Sequence, residues 1–104
     1  MKRLTTNDPI NNTENMRNLV FVKNKEVYLR GLDENNEDIS LVNYCKAECN
    51  KECSAKYDDT WDATTFGELM DCDCIVSVFY YACVGFAEVR ERLMKYEDAD
   101  KNAN

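Results

Sequence analysis

Histidine is absent from this chain of 104 residues, and the gap closes off several chemistries at once. No Cys-His or Ser-His pair is available to activate a nucleophile, and any metal site must be built from sulfur and oxygen. Glycine occurs only at Gly31, Gly67 and Gly85, too few and too scattered for a loop that cradles phosphate. No run approaches 18 apolar residues free of charge, so no stretch reads as a membrane-spanning helix. Lys and Arg are missing from residues 57–89, where Asp58, Asp59, Asp62, Glu68, Asp71, Asp73 and Glu88 account for the whole formal net charge of −7. Phosphate contacts need a basic face, so nucleic-acid binding is disfavoured. An acidic face suits a basic protein partner, although acidity also serves simply to keep a small protein in solution.

What the chain does have is cysteine. All six lie within residues 45–83. Cys45, Cys49 and Cys53 recur every fourth residue, which places them along one side of a helix, and Cys72 and Cys74 follow as a C-x-C pair. Structural zinc takes four tetrahedral ligands, commonly thiolates, so a helix supplying two and a distant turn supplying two more would make a staple. Cys49 and Cys53 with Cys72 and Cys74 give the shortest loop; Cys45 and Cys49 with the same pair are the alternative. The C-x2-C turns of zinc ribbons are absent. Thiols also pack as small apolar groups, and Leu41, Cys45, Cys49, Cys53 and Tyr57 would serve equally as a buried stripe. Disulfides are disfavoured, because the opening residues show no apolar segment of an export signal. Cys83, inside an apolar run, is expected in the core.

In chain order, residues 1–17 are rich in Asn and Thr, hold the only proline, Pro9, and are expected to form a disordered or loosely docked tail. Leu19-Val20-Phe21-Val22 and Val27-Tyr28-Leu29 read as a β-hairpin around a short polar turn, with Ile39 closing a third short strand. Ser40 is a candidate N-cap for a helix reaching about Tyr57, with Lys46, Glu48, Asn50, Lys51 and Glu52 on its solvated face. Trp61 plugs the core or anchors a partner. Thr65 and Glu68 have the form of a capping box. In a continuous helix Cys72 and Cys74 would point about 200° apart, so sharing a metal requires a break near residues 71–74.

Ile75, Phe79, Ala82, Phe86, Val89, Leu93 and Tyr96 follow spacings of four and three over three heptads, which predicts a helix over residues 74–96. Its apolar stripe is expected to pack within the chain, a second copy being the alternative. The fold class expected is therefore α+β: an N-terminal hairpin or three short strands, then two to three helices, zinc-stapled, the last helix long. Residues 18–98 make one domain and residues 99–104 a frayed end.

The ending Arg90-Glu91-Arg92-Leu93-Met94-Lys95-Tyr96-Glu97-Asp98 resembles the RLxxYED tail of many small proteins encoded by phages and prophages of Gram-positive bacteria, which also open with a Met-Lys-Arg-Leu-Thr-like start, as here. It is similar in style to small anti-CRISPR proteins, including acidic, metal-binding inhibitors of Cas9-type nucleases. The resemblance implies a cytoplasmic, stoichiometric inhibitor of a bacterial defence nuclease, binding a basic partner through Asp58, Asp59, Trp61, Asp62, Glu68, Asp71 and Asp73. With no catalytic pair in the sequence, the chain is expected not to be an enzyme. The alternative is a zinc-stabilised phage structural or regulatory protein that dimerises through its C-terminal heptads.

Overall fold

The computed structural model describes residues 3–53 and 74–100. The chain order is α1 (Asn12–Asn18), β1 (Val20–Lys23), β2 (Glu26–Leu29), β3 (Ile39–Ser40), α2 (Leu41–Glu52) and α3 (Ile75–Ala99). The architecture is α+β, with an antiparallel sheet ordered β1-β2-β3 and a long C-terminal helix.

The hairpin forms where the polar tetrapeptide interrupts two β-favouring runs. Lys23 pairs with Glu26, so the loop is Asn24-Lys25. Both residues take positive φ, 52° and 66°, the left-handed pair whose twist matches that of the flanking strands. The Lys23 ammonium sits 4.5 Å from the centre of the Tyr28 ring and covers it. Between β2 and β3 the chain turns on Asp33, whose carboxylate accepts from the Asn35 and Glu37 amides at 2.7 and 2.6 Å. Gly31 there has φ +69°, a conformation that costs a side chain-bearing residue about 1–2 kcal/mol.

Ser40 ends β3 and caps α2, its hydroxyl accepting from the Asn43 amide at 3.2 Å. Leu41, Cys45 and Cys49 then face inward along one side. Helix α2 stops at Glu52, short of Tyr57, and Lys46, expected on the solvated face, is buried. Tyr57, Trp61, Thr65 and the rest of residues 54–73 lie outside the described residues. Val20, Leu29, Leu41, Cys45, Cys49, Val76, Tyr80, Cys83 and Ala87 form one continuous core. Tyr44 of α2 meets Phe79 of α3 with ring centres 5.9 Å apart.

Two expectations are corrected. Residues 3–18 are not a loose tail: they end in α1 and are strapped to α3. The buried Asn18 side chain uses its full hydrogen-bonding capacity. Its oxygen accepts from the Thr6 amide at 2.9 Å and Arg90 Nε at 3.0 Å; its nitrogen donates to the Leu4 and Glu14 carbonyls at 3.1 and 2.9 Å. Arg90 Nη2 also donates to the Thr6 carbonyl at 2.9 Å. The Glu97 carboxylate, almost wholly buried, accepts from the amides of Leu4 and Thr5, at 2.7 and 3.0 Å, and from the Thr5 hydroxyl. The Asn- and Thr-rich composition that suggests disorder is here the donor and acceptor set for two buried charges.

The second correction concerns α3. The stripe expected to pack inward is largely outside: Ile75, Ala82, Phe86, Val89 and Tyr96 are exposed, and Phe79 and Leu93 half-buried. The buried line lies one residue further on, at Val76, Tyr80, Cys83, Ala87, Arg90 and Glu97. Val78, Tyr81 and Val84 are exposed as well.

A candidate metal centre

Three of the cysteines converge where α2 ends and α3 begins. Cys49 lies on the buried side of α2. Cys53, one turn on, is the C-cap, with extended backbone (φ −128°, ψ 173°) and its amide donating to the Cys49 carbonyl at 2.8 Å. Cys74 is the N-cap of α3, also extended (φ −88°, ψ 170°). The helical register thus puts two thiols one turn apart, and the start of α3 brings the third from 21 residues beyond Cys53.

The sulfurs of Cys49, Cys53 and Cys74 all lie within 4.8 Å of one another, and Cys49 Sγ is 4.0 Å from Cys74 Sγ. Two thiolates on one tetrahedral zinc, each at about 2.3 Å, sit roughly 3.8 Å apart. A disulfide needs about 2.05 Å, and none of the five described cysteines forms one. Cys49 is buried while Cys53 and Cys74 are half-buried, so the cluster sits at the edge of the core.

Cys45 and Cys83 differ from these three. Both are buried, and Cys45 is pushed up to about 12, first by burial and then by the neighbouring Cys83 and Cys74 and by Glu48. Burial also raises Cys83 and, with Cys45 and Tyr81 nearby, Tyr80. A thiol raised that far is protonated at neutral pH and behaves as a small apolar side chain. Of the five candidate ligands, the structure therefore gathers Cys49, Cys53 and Cys74 and leaves Cys45 outside the group. Cys72 lies outside the described residues, as do all the candidate partner-binding residues, Asp58, Asp59, Trp61, Asp62, Glu68, Asp71 and Asp73.

The stripe and ligand readings of α2 turn out to share the helix. Leu41 and Cys45 are core, Cys49 is both core and cluster, and Cys53, in the cluster, is half-buried against the core's edge. Sequence reasoning missed the buried polar group of Thr5, Asn18, Arg90 and Glu97. Its one legible signal is that Arg90 and Glu97 fall on the same 4-3 rhythm as Val76, Tyr80, Cys83 and Ala87.

No described helix is long and apolar enough to cross a membrane. Comparison with protein-family models, with curated proteins and with solved structures returns no match to this chain.

Proposed function

We propose that the chain is a protein-binding module whose fold is stapled by one zinc ion held by Cys49, Cys53 and Cys74. The observation that carries this is the convergence of three thiols within 4.8 Å across a long break in sequence. Soft thiolate donors select zinc, copper(I) or iron–sulfur clusters over hard cations, and in four-coordinate structural sites zinc is the metal most often held. When bound, the ion contributes folding free energy and no reaction. Cys49, Cys53 and Cys74 lock the end of α2 to the start of α3, which fixes the direction in which α3 leaves the core. The sequence offers Cys72, two residues before Cys74, as a fourth thiol.

Metal content of protein purified without added zinc, with free thiols counted before and after a chelator, tests this. One zinc per chain is expected, lost in Cys49→Ser and retained in Cys45→Ser, since Cys45 stands outside the group. Removing the ion is expected to cost about 4 kcal/mol where free zinc is roughly a thousandfold above its dissociation constant. A chain that takes up no zinc on refolding, and is equally stable with and without chelator, overturns the staple.

That the partner is a bacterial defence nuclease rests on the acidic run of residues 57–89 and the C-terminal resemblance, both features of the sequence. Charge reversal at Asp58, Asp59 and Asp62 decides it in a nuclease-inhibition assay: inhibition should collapse, and unchanged inhibition removes the acidic face from the reading.

A further inference from the structure

We infer that the exposed apolar face of α3 is the docking surface for a second copy of this chain, the two α3 helices crossing antiparallel near Gly85 about a two-fold axis. This rests on the reading of the chain as a binding module and adds to it a second, separate surface that takes the chain itself.

Area is the first argument. Ile75, Val78, Phe86, Val89 and Tyr96 are 75%, 63%, 42%, 66% and 63% exposed. Taking large apolar side chains at on the order of 150–250 Å² each, they leave roughly 600 Å² uncovered. That is the upper end of the largest apolar patch on a typical monomer, about 300–600 Å². Two such faces together withdraw roughly 1,200 Å², which is where specific interfaces begin.

Shape is the second. Ala82 and Gly85 lie in the middle of the face, and a Cβ on Gly85 would meet nothing within 4 Å. Among the described residues no contact requires glycine in this helix interior, where it costs about 1 kcal/mol relative to alanine. Small residues flanked by large ones allow two helix backbones to approach closely. Beside them Leu4, Phe86, Val89 and Leu93 line an apolar cavity of about 140 Å³, close to the roughly 150 Å³ that accommodates a benzene ring. In an antiparallel crossing near Gly85, Ile75 and Val78 of one copy lie against this cavity in the other, and the reverse contact is identical, as a two-fold interface demands.

Charge is the third and sets the direction. Residues 75–87 carry no charge, and Glu88 and Arg92 pair within their own helix at 3.2 Å. A parallel pair would set Glu88, Arg92 and Lys95 beside their own copies. An antiparallel pair lays each charged half along an uncharged one.

Sedimentation equilibrium of the full chain, with zinc content measured on the same samples, tests the inference. A dimer at micromolar protein is expected, little affected by salt. Ile75→Glu and Val89→Glu each raise its dissociation constant about tenfold or more, while far-UV circular dichroism shows the folded helix content kept. A mixture of Val78→Lys chains with Val89→Glu chains recovers a mixed dimer that neither forms alone. A monomer at every concentration, or a dimer indifferent to all of these changes, overturns the inference; the monomer leaves the face to an unlike protein or to another segment of the chain. A dimer without zinc sinks the staple alone, and a zinc-loaded monomer sinks only the pairing.

Discussion

Helix α3 carries two lines of residues in the same 4-3 rhythm, one position apart, and their fates are opposite. The outer line, Ile75, Phe79, Ala82, Phe86, Val89, Leu93 and Tyr96, is apolar throughout and mostly exposed. The inner line, Val76, Tyr80, Cys83, Ala87, Arg90, Met94 and Glu97, includes a guanidinium and a carboxylate and faces the core. One residue is about 100° of rotation, so the choice between them is a choice of face. Apolar burial favours the outer line; the inner line wins because its charged groups find hydrogen-bond partners in residues 3–18. Asn18, Thr6 and Asn7 receive Arg90, and Leu4 and Thr5 donate to Glu97. A buried charge that is fully hydrogen-bonded is tolerated, and an apolar face left outside stays available to a partner.

Breaking the inner line should have the largest effect. Arg90→Met keeps the length and apolar stem of the side chain but takes its donor from the Thr6 carbonyl and leaves Asn18 Oδ1 with the Thr6 amide alone. A loss of about 3 kcal/mol is expected in urea denaturation. A loss below about 1 kcal/mol would mean that the strap of residues 3–18 contributes little to holding this face inward.

Glu97 sharpens the same point through pH. Burial pushes its carboxyl up, but the Thr5 hydroxyl, the Leu4 and Thr5 amides and the Arg3 guanidinium outweigh it and hold it below the ordinary carboxylate value. A folded value below the unfolded one, about 4.3, contributes stability that is present in full above the unfolded value. That stability disappears as pH falls through the folded one. Glu97→Gln is expected to cost about 2 kcal/mol at neutral pH and to flatten the loss of stability on acidification. Identical acid profiles for the two proteins would remove Glu97 from the latch.

These effects mark the boundary of what the sequence discloses. The hairpin turn, the Ser40 cap and the long last helix are set by neighbours a few residues apart, and all were legible. So was the possibility of a cysteine cluster, because the spacing of Cys49 and Cys53 fixes their common side. Which face of α3 turns inward was not, since both lines have the same period and Arg90 finds Asn18 from 72 residues away. Nor did local propensity show that an Asn- and Thr-rich opening would strap itself down, because its partners lie at the other end of the chain.

The outer line should respond to mutation in the opposite way. Val89→Glu is expected to change protomer stability by less than about 0.5 kcal/mol, as for an exposed position, although the same change on the inner line would be ruinous. Gly85→Ala gives the smallest and most discriminating shift. With open space around the added methyl, alanine relieves the cost of glycine in a helix interior. The dilute protomer should gain about 0.5–1 kcal/mol, a rise in Tm of a few degrees for a domain of this size. At concentrations where copies pair, the methyl stands at the crossing of the two helices and the gain should shrink or reverse. A Tm advantage that is the same at every protein concentration would show that Gly85 serves neither the chain's own packing nor an approach by a second helix.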